Sequence, residues 1–236
     1  KKVLVPDMAA GCSLADSCDA DDFRRFVEAH PGYTVISYVN TSAAVKALTD
    51  IVVTSGNARK IVESLPADEK IIFGPDKNLG GYINSVASRD MLLWQGACHV
   101  HDRFSIDKIM DLKKEHPEAK ILVHPECRRP LQLIADKVGS TAALLEFAEK
   151  DEAPEYIVVT ESGILFEMRR KCSSKRFIPA PAEDSECQCN ECDYMKLNTL
   201  EKVYAALRDE APEIHVDPEV AAKAIRPIER MLELSV

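Results

Sequence analysis

Residues 120–145 (KILVHPECRRPLQLIADKVGSTAALL) have a degenerate copy 86 residues upstream, and this repeat limits what the chain can fold into more than any other feature. His116-Pro117 falls on His30-Pro31, residues 121–123 on 35–37, and the pair His124 and Glu126 on Tyr38 and Asn40. At the same shift Asp136 meets Asp50, Ser140-Thr141 meets Thr54-Ser55, and Cys98 meets Cys12. Residues 70–76 fall on 156–162, and Met91-Leu92 on Phe177-Ile178, so a third unit has begun by residue 177.

Short apolar runs alternate with helical patterns throughout, which predicts parallel sheets covered on both faces. Strands are expected at residues 3–5, 33–38, 51–53, 71–73, 91–93, 121–123, 156–159 and 177–180. Helices are expected from Asp21, at 41–48, 58–65, to about 86, at 106–114, 131–137, 142–149, 163–170, within 195–207, and at 220–234 with an interruption at Pro227. The fold class is therefore α/β, a pseudo-threefold repeat of small parallel-sheet α/β/α domains with the third unit incomplete. The units are residues 1–89, 90–174 and 175–236, the last carrying the C-terminal helices. The chain opens mid-strand without Met, so an N-terminal segment completing the third unit is expected to precede it.

With 39 acidic against 30 basic residues, the chain lacks the extended basic surface that nucleic acid or anionic membrane requires as a partner. Nothing approaches the roughly 18–20 apolar residues of a membrane span, so the chain reads as soluble. Eight cysteines in a chain this long point to reduced thiols in a cytoplasmic setting rather than to disulfide staples.

In parallel sheets ligands sit beyond the carboxyl ends of the strands, among helix N-termini. The polar residues collect there: Tyr38-Val39-Asn40, Thr54-Ser55, His124-Pro125-Glu126, Ser140-Thr141 and Thr160-Glu161 each follow an apolar strand. Ser55 and Thr141 are equivalent and open helices, where a hydroxyl caps the helix or holds a carboxylate or phosphate. His124 and Glu126, projecting to one side of an extended segment, make an acid/base pair. Cys12, Cys98 and one of Cys187, Cys189 and Cys192 occupy the same loop in each unit, whereas Cys18, Cys127 and Cys172 have no thiol partner in the repeat and read as structural. Three thiolates without a fourth suit an iron–sulfur cluster with one iron unligated by protein, or zinc with an open position. Cys98-His99-Val100-His101 does not have a usual tetrahedral zinc spacing.

Gly11-Cys12-Ser13-Leu14-Ala15-Asp16, Tyr38-Val39-Asn40-Thr41-Ser42, Pro75-Asp76-Lys77-Asn78-Leu79-Gly80, His124-Pro125-Glu126-Cys127, Gly139-Ser140-Thr141, Thr160-Glu161-Ser162-Gly163 and residues 195–202 together resemble quinolinate synthase, the NadA family of NAD biosynthesis. The resemblance spans essentially the whole chain. It implies three pseudo-symmetric domains around a [4Fe-4S] cluster held by Cys12, Cys98 and Cys192, the free iron serving as a Lewis acid. The implied reaction condenses iminoaspartate, supplied by an aspartate-oxidising enzyme, with dihydroxyacetone phosphate. It also implies catalysis by Glu126, His124 and Tyr38, with substrate bound by Tyr38, Val39, Asn40, Ser55, His124, Pro125, Glu126 and Thr141. Phe166 and Gly81 depart from the family pattern, which commonly has His and Arg there. A second reading is a non-catalytic metal-binding or redox-sensing α/β protein.

Overall fold

Apolar strands of three to five residues cannot bury themselves, and pairing them in parallel under helices on both faces removes their backbone groups and side chains from water together. The structure, a computed structural model describing residues 1–183 and 190–235, contains two sheets built this way. In the first, β1 (Thr34–Tyr38), β2 (Ile51–Val53), β3 (Ile71–Gly74) and β4 (Leu92–Leu93) lie in the order β2-β1-β3-β4. In the second, β5 (Lys120–Val123), β6 (Lys137–Val138), β7 (Glu155–Val159) and β8 (Arg176–Pro179) lie in the order β6-β5-β7-β8. Every pairing is parallel.

Helices α1 (Ser13–Asp16), α2 (Ala20–Glu28), α3 (Ala43–Lys46), α4 (Ala58–Ser64) and α5 (Lys77–Ala87) accompany the first sheet. Next come α6 (His99–Asp102), α7 (Ile106–Glu115), α8 (Arg129–Leu133), α9 (Thr141–Lys150) and α10 (Ile164–Lys171). The chain ends with α11 (Asp193–Lys196), α12 (Leu200–Asp209) and α13 (Pro218–Ser235). Among the described residues no helix is long and apolar enough to cross a membrane.

The repeat extends to single hydrogen bonds. Asp50 follows α3, and its carboxylate accepts from the Val35 N–H at 2.7 Å; Asp136 does the same for Ile121, also at 2.7 Å. Each aspartate also donates its own N–H to the carbonyl of that same residue, at 2.9 Å, so the turn back to the sheet is pinned at both ends. Ile36 faces Ile51 in one sheet as Leu122 faces Lys137 in the other. The third strand is one residue out of step: Val35 faces Ile72, but Ile121 faces Ile157. The counterpart of Asp76 is therefore Glu161, not Ser162.

Strand pairing moves the expected unit boundaries. Leu92–Leu93, assigned to the second unit, pairs with β3, and β8, assigned to the third, pairs with β7. Residues 3–5 form no buried strand; Leu4 makes a single antiparallel bridge to Glu213, and Val3 is exposed. The helix expected at 131–137 stops at Leu133, since Lys137–Val138 is the strand equivalent to β2. The C-terminal helix is continuous through Pro227 and belongs to the first unit. Met231 and Leu234 pack on that core, while Asn57 Nδ2 and Lys60 Nζ donate to Ser235 Oγ and its carbonyl, each at 3.0 Å. Docking of this face outweighs the roughly 3 kcal/mol that an interior proline costs.

Because Asp50 and Asp136 perform the same task on exposed turns, Asp50→Ala and Asp136→Ala should each lower unfolding free energy by about 1–2 kcal/mol in urea titrations. A negligible loss from either would mean that these bonds do not hold the crossover.

Candidate active site

The three cysteines matched to the repeat occupy one local structure. Cys12, Cys98 and Cys192 are the extended N-cap residues of the four-residue helices α1, α6 and α11. The acid two residues beyond β3, Asp76, accepts from the Cys98 N–H at 3.2 Å and from Leu79 N–H, so it caps α5 and anchors the cysteine at once. Glu161, two residues beyond β7, accepts from the Cys192 N–H at 3.4 Å and from Gly163 N–H at 2.7 Å. Lys77 N–H donates to Gly96 O and Ser162 N–H to Asn190 O, tying each cysteine loop back to the strand end. A side chain at Gly96 would meet Pro75 O at 2.6 Å, which is why glycine stands there. Ser13 and His99, the residues after the first two cysteines, contact each other through Oγ and Nδ1 at 2.6 Å. Asn40 Nδ2 donates to Cys12 Sγ at 3.8 Å.

All three cysteines line a single cavity of about 610 Å³, within the usual range for small-molecule sites. Tyr38, Asn40, Ser55, His124, Glu126 and Thr141 line it too. Glu126, only 3% exposed, lies at its base. Its Oε2 is 3.1 Å from His101 Nδ1, and its Oε1 is 3.8 Å from His124 Nδ1. Its carbonyl accepts from Asn78 Nδ2 at 3.0 Å. The two imidazoles stack at 4.6 Å, and His101 Nε2 meets Thr160 Oγ1 at 2.9 Å.

Burial penalises every charge here, and the partners decide which survive. For Glu126, burial is outweighed by His101, His124 and the Tyr38 hydroxyl, which hold its carboxyl below the ordinary range and keep it ionised. Burial would lower His101, but the adjoining Cys98 thiol and Glu126 carboxylate raise it to about 10. His124 is lowered to about 4 by burial and by the neighbouring His101 charge. Burial, then the Glu126 charge, pushes the Tyr38 phenol and the Asp76 carboxyl up. The result is a fixed carboxylate flanked by one cationic ring, one neutral ring and a neutral phenol.

The strand-end prediction thus brings together Tyr38, Asn40, Ser55, His124, Glu126 and Thr141, but neither Val39 nor Pro125 lines the cavity. Val39 is 38% exposed with its carbonyl held by Lys46, and the Pro125 carbonyl is held by Gln132. His124 and Glu126 meet through a turn, not an extended segment: Cys127 N–H donates to His124 O, and Glu126 N–H to His124 Nδ1. Thr141 opens α9, whereas Ser55 precedes the α4 N-cap, Asn57. Cys18, Cys127 and Cys172 are buried within the cores, as expected of structural thiols. Cys187 and Cys189 lie outside the described residues. Phe166 is 70% exposed and outside this cavity, and Gly81 has open space around its Cα.

The sequence places His101 only in a run without a usual zinc spacing and Asp76 only in a motif of the family resemblance, and neither is named as a site residue there. The position of His101, one helical turn after Cys98, is a usable signal. Two donor sets here could hold a metal: the three cysteines, and Cys98 with His101 and Glu126, whose ligand atoms lie within 4.8 Å of one another.

Parallel strand ends presenting a fixed carboxylate, imidazoles, hydroxyls and three equivalent thiols to one small-molecule cavity make the candidate active site of an α/β protein with a thiol-rich centre. The family model described as "Quinolinate synthetase A protein" matches residues 1–233. Quinolinate synthases of Microcystis aeruginosa and Chloroherpeton thalassium are 53% and 51% identical over 235 residues, covering 100% of this chain and 73% of each relative. That of Thermosynechococcus vestitus is 50% identical over the same span and covered to 74%. The chain belongs to the quinolinate synthase family of NAD biosynthesis.

Ring-nitrogen NMR of the metal-free protein should find His101 protonated until about pH 10 and His124 neutral down to about pH 4. His101 then contributes stability that is full below 6.5 and lost as pH rises toward 10, while His124 withdraws stability as pH falls from 6.5 toward 4. Both rings titrating near 6.5 would contradict the electrostatic description.

Proposed function

We propose that this chain carries out cytoplasmic quinolinate formation, condensing iminoaspartate with dihydroxyacetone phosphate and releasing phosphate and water as the pyridine ring closes. The observation that carries this reading is the shared cavity: the strand-end acid/base set and the three helix-capping cysteines face the same space. Iminoaspartate is unstable in water, so an aspartate-oxidising enzyme is the expected supplier.

The donor set fits a [4Fe-4S] cluster. Three thiols sit in equivalent N-cap positions, each at the positive end of a helical turn, and Cys12 receives an amide hydrogen bond from Asn40. Cys12, Cys98 and Cys192 would hold it. When bound, such a cluster supplies a Lewis-acidic iron with no protein sulfur on it.

The chain's own residues supply the proton chemistry. Glu126, ionised and buried, accepts a proton from the bound substrate. Tyr38, kept as a neutral phenol beside Glu126, donates a hydrogen bond or a proton. His124, neutral, orients the carboxylate. Ser55, and Thr141 at the α9 N-terminus, hold carboxylate or phosphate oxygens.

The test uses a chimera in which this chain replaces the matching 235 residues of the Microcystis aeruginosa relative. After anaerobic reconstitution it should produce quinolinate, and Glu126→Gln should lower kcat by about 100-fold or more. A folded, cluster-bearing chimera that yields no quinolinate defeats the proposal. In the chain alone, Cys12→Ser, Cys98→Ser or Cys192→Ser should abolish the cluster absorbance and EPR signal, and Cys127→Ser should preserve them. Equal loss in all four would overturn the ligand assignment.

A further inference from the structure

His101 is 8% exposed, yet its Nδ1 has no aligned hydrogen bond, although Glu126 Oε2 lies 3.1 Å away. A buried ring nitrogen without an aligned partner is costly, and a metal ion that displaces its proton takes up the lone pair. Its surroundings are those of a ligand. The other nitrogen, Nε2, is fixed on Thr160 Oγ1 at 2.9 Å, the outer-shell bond that sets the tautomer and aim of metal-binding histidines. Cys98 Sγ, His101 Nδ1 and a Glu126 oxygen all lie within 4.8 Å of one another. Asp76 secures Cys98 through its N–H, and Asn78 secures Glu126 through its carbonyl.

We infer that in the cluster-free protein Cys98, His101 and Glu126 bind one divalent cation of the zinc class, leaving a fourth position open to the cavity. Thiolate, imidazole and carboxylate are the ligand types zinc takes, and tetrahedral bonds of about 2.0–2.3 Å set such donors roughly 3.3–3.6 Å apart. The imidazole and carboxylate, 3.1 Å apart, need open by only a few tenths of an ångström to reach that spacing, and the half-buried Cys98 side chain supplies the remaining movement. Because Cys98 also belongs to the three-thiol set, cation and cluster exclude each other, and zinc bound here blocks cluster assembly. Only this competition rests on the function proposed above.

Cobalt(II), titrated into chelator-stripped chain, is the probe. One equivalent should bind with a near-ultraviolet thiolate-to-cobalt band. His101→Gln, which keeps a hydrogen-bond donor beside Glu126, should weaken binding by at least about tenfold, and Glu126→Gln should do likewise. Cys12→Ser and Cys192→Ser should bind cobalt as the parent chain does. Absence of the band, undiminished binding in His101→Gln, or equal weakening in Cys12→Ser would each overturn the inference. In the second arm, prior loading with one equivalent of zinc should stop cluster uptake in the parent chain but not in His101→Gln, and chelator should restore it. Unhindered uptake by the zinc-loaded parent would overturn the competition. A chain that takes up no cluster even without zinc would defeat the proposed function and leave the cobalt result intact.

Discussion

A carboxylate buried at the end of a parallel strand is the constraint around which this molecule is arranged. Desolvating Glu126 costs several kcal/mol, and the cost is tolerated only because two imidazoles and a phenol surround it. Those partners come from distant parts of the chain. Tyr38 ends β1 of the first sheet, His101 sits in α6 between the two sheets in sequence, and His124 follows β5. Holding one charge therefore fixes how the two sheets face each other. Asn78, at the start of α5, adds a direct bond from the first unit to the Glu126 carbonyl.

Repetition supplies the scaffold for that arrangement at little informational expense. A single solution to the strand–helix–strand return, an aspartate bonding an N–H of the preceding strand, is used at Asp50 and Asp136. A single solution to presenting a thiol, an acid beyond a strand holding the cysteine N–H, is used at Asp76 and Glu161. The two acids then diverge. Asp76 is fully buried and its carboxyl is pushed up by burial and by Glu126, whereas Glu161 lies at the cavity rim and pairs with Lys196 at 3.9 Å. Duplicated backbone with diverged side chains is how one loop geometry comes to serve both structure and chemistry.

Most of the fold was legible because its cause is local. Alternating apolar runs gave seven of the eight strands nearly to the residue, with one expected strand, at residues 3–5, not formed, and the repeat implied equal topology in the two sheets. Where the reading failed, a nonlocal contact had decided. Lys137–Val138 looked like the end of a helix because two residues carry no period; only pairing with β5 makes them a strand. Pro227 looked like a break because interior prolines lose a hydrogen bond, but the α13 face against the first sheet keeps the helix whole. The β7 register slipped by one residue relative to β3, which hid the equivalence of Asp76 and Glu161.

By itself, the sequence determined the duplicated α/β unit, the polar strand ends and the three cysteines in matching loops, because periodicity and spacing survive in one dimension. The tertiary structure alone decided which sheet owns each edge strand, that α13 closes the first unit, and that His101 and Asp76 enter the site. Those outcomes depend on strand pairing, apolar docking and buried polar contacts between residues far apart in the chain, and a string of residues does not record such distances.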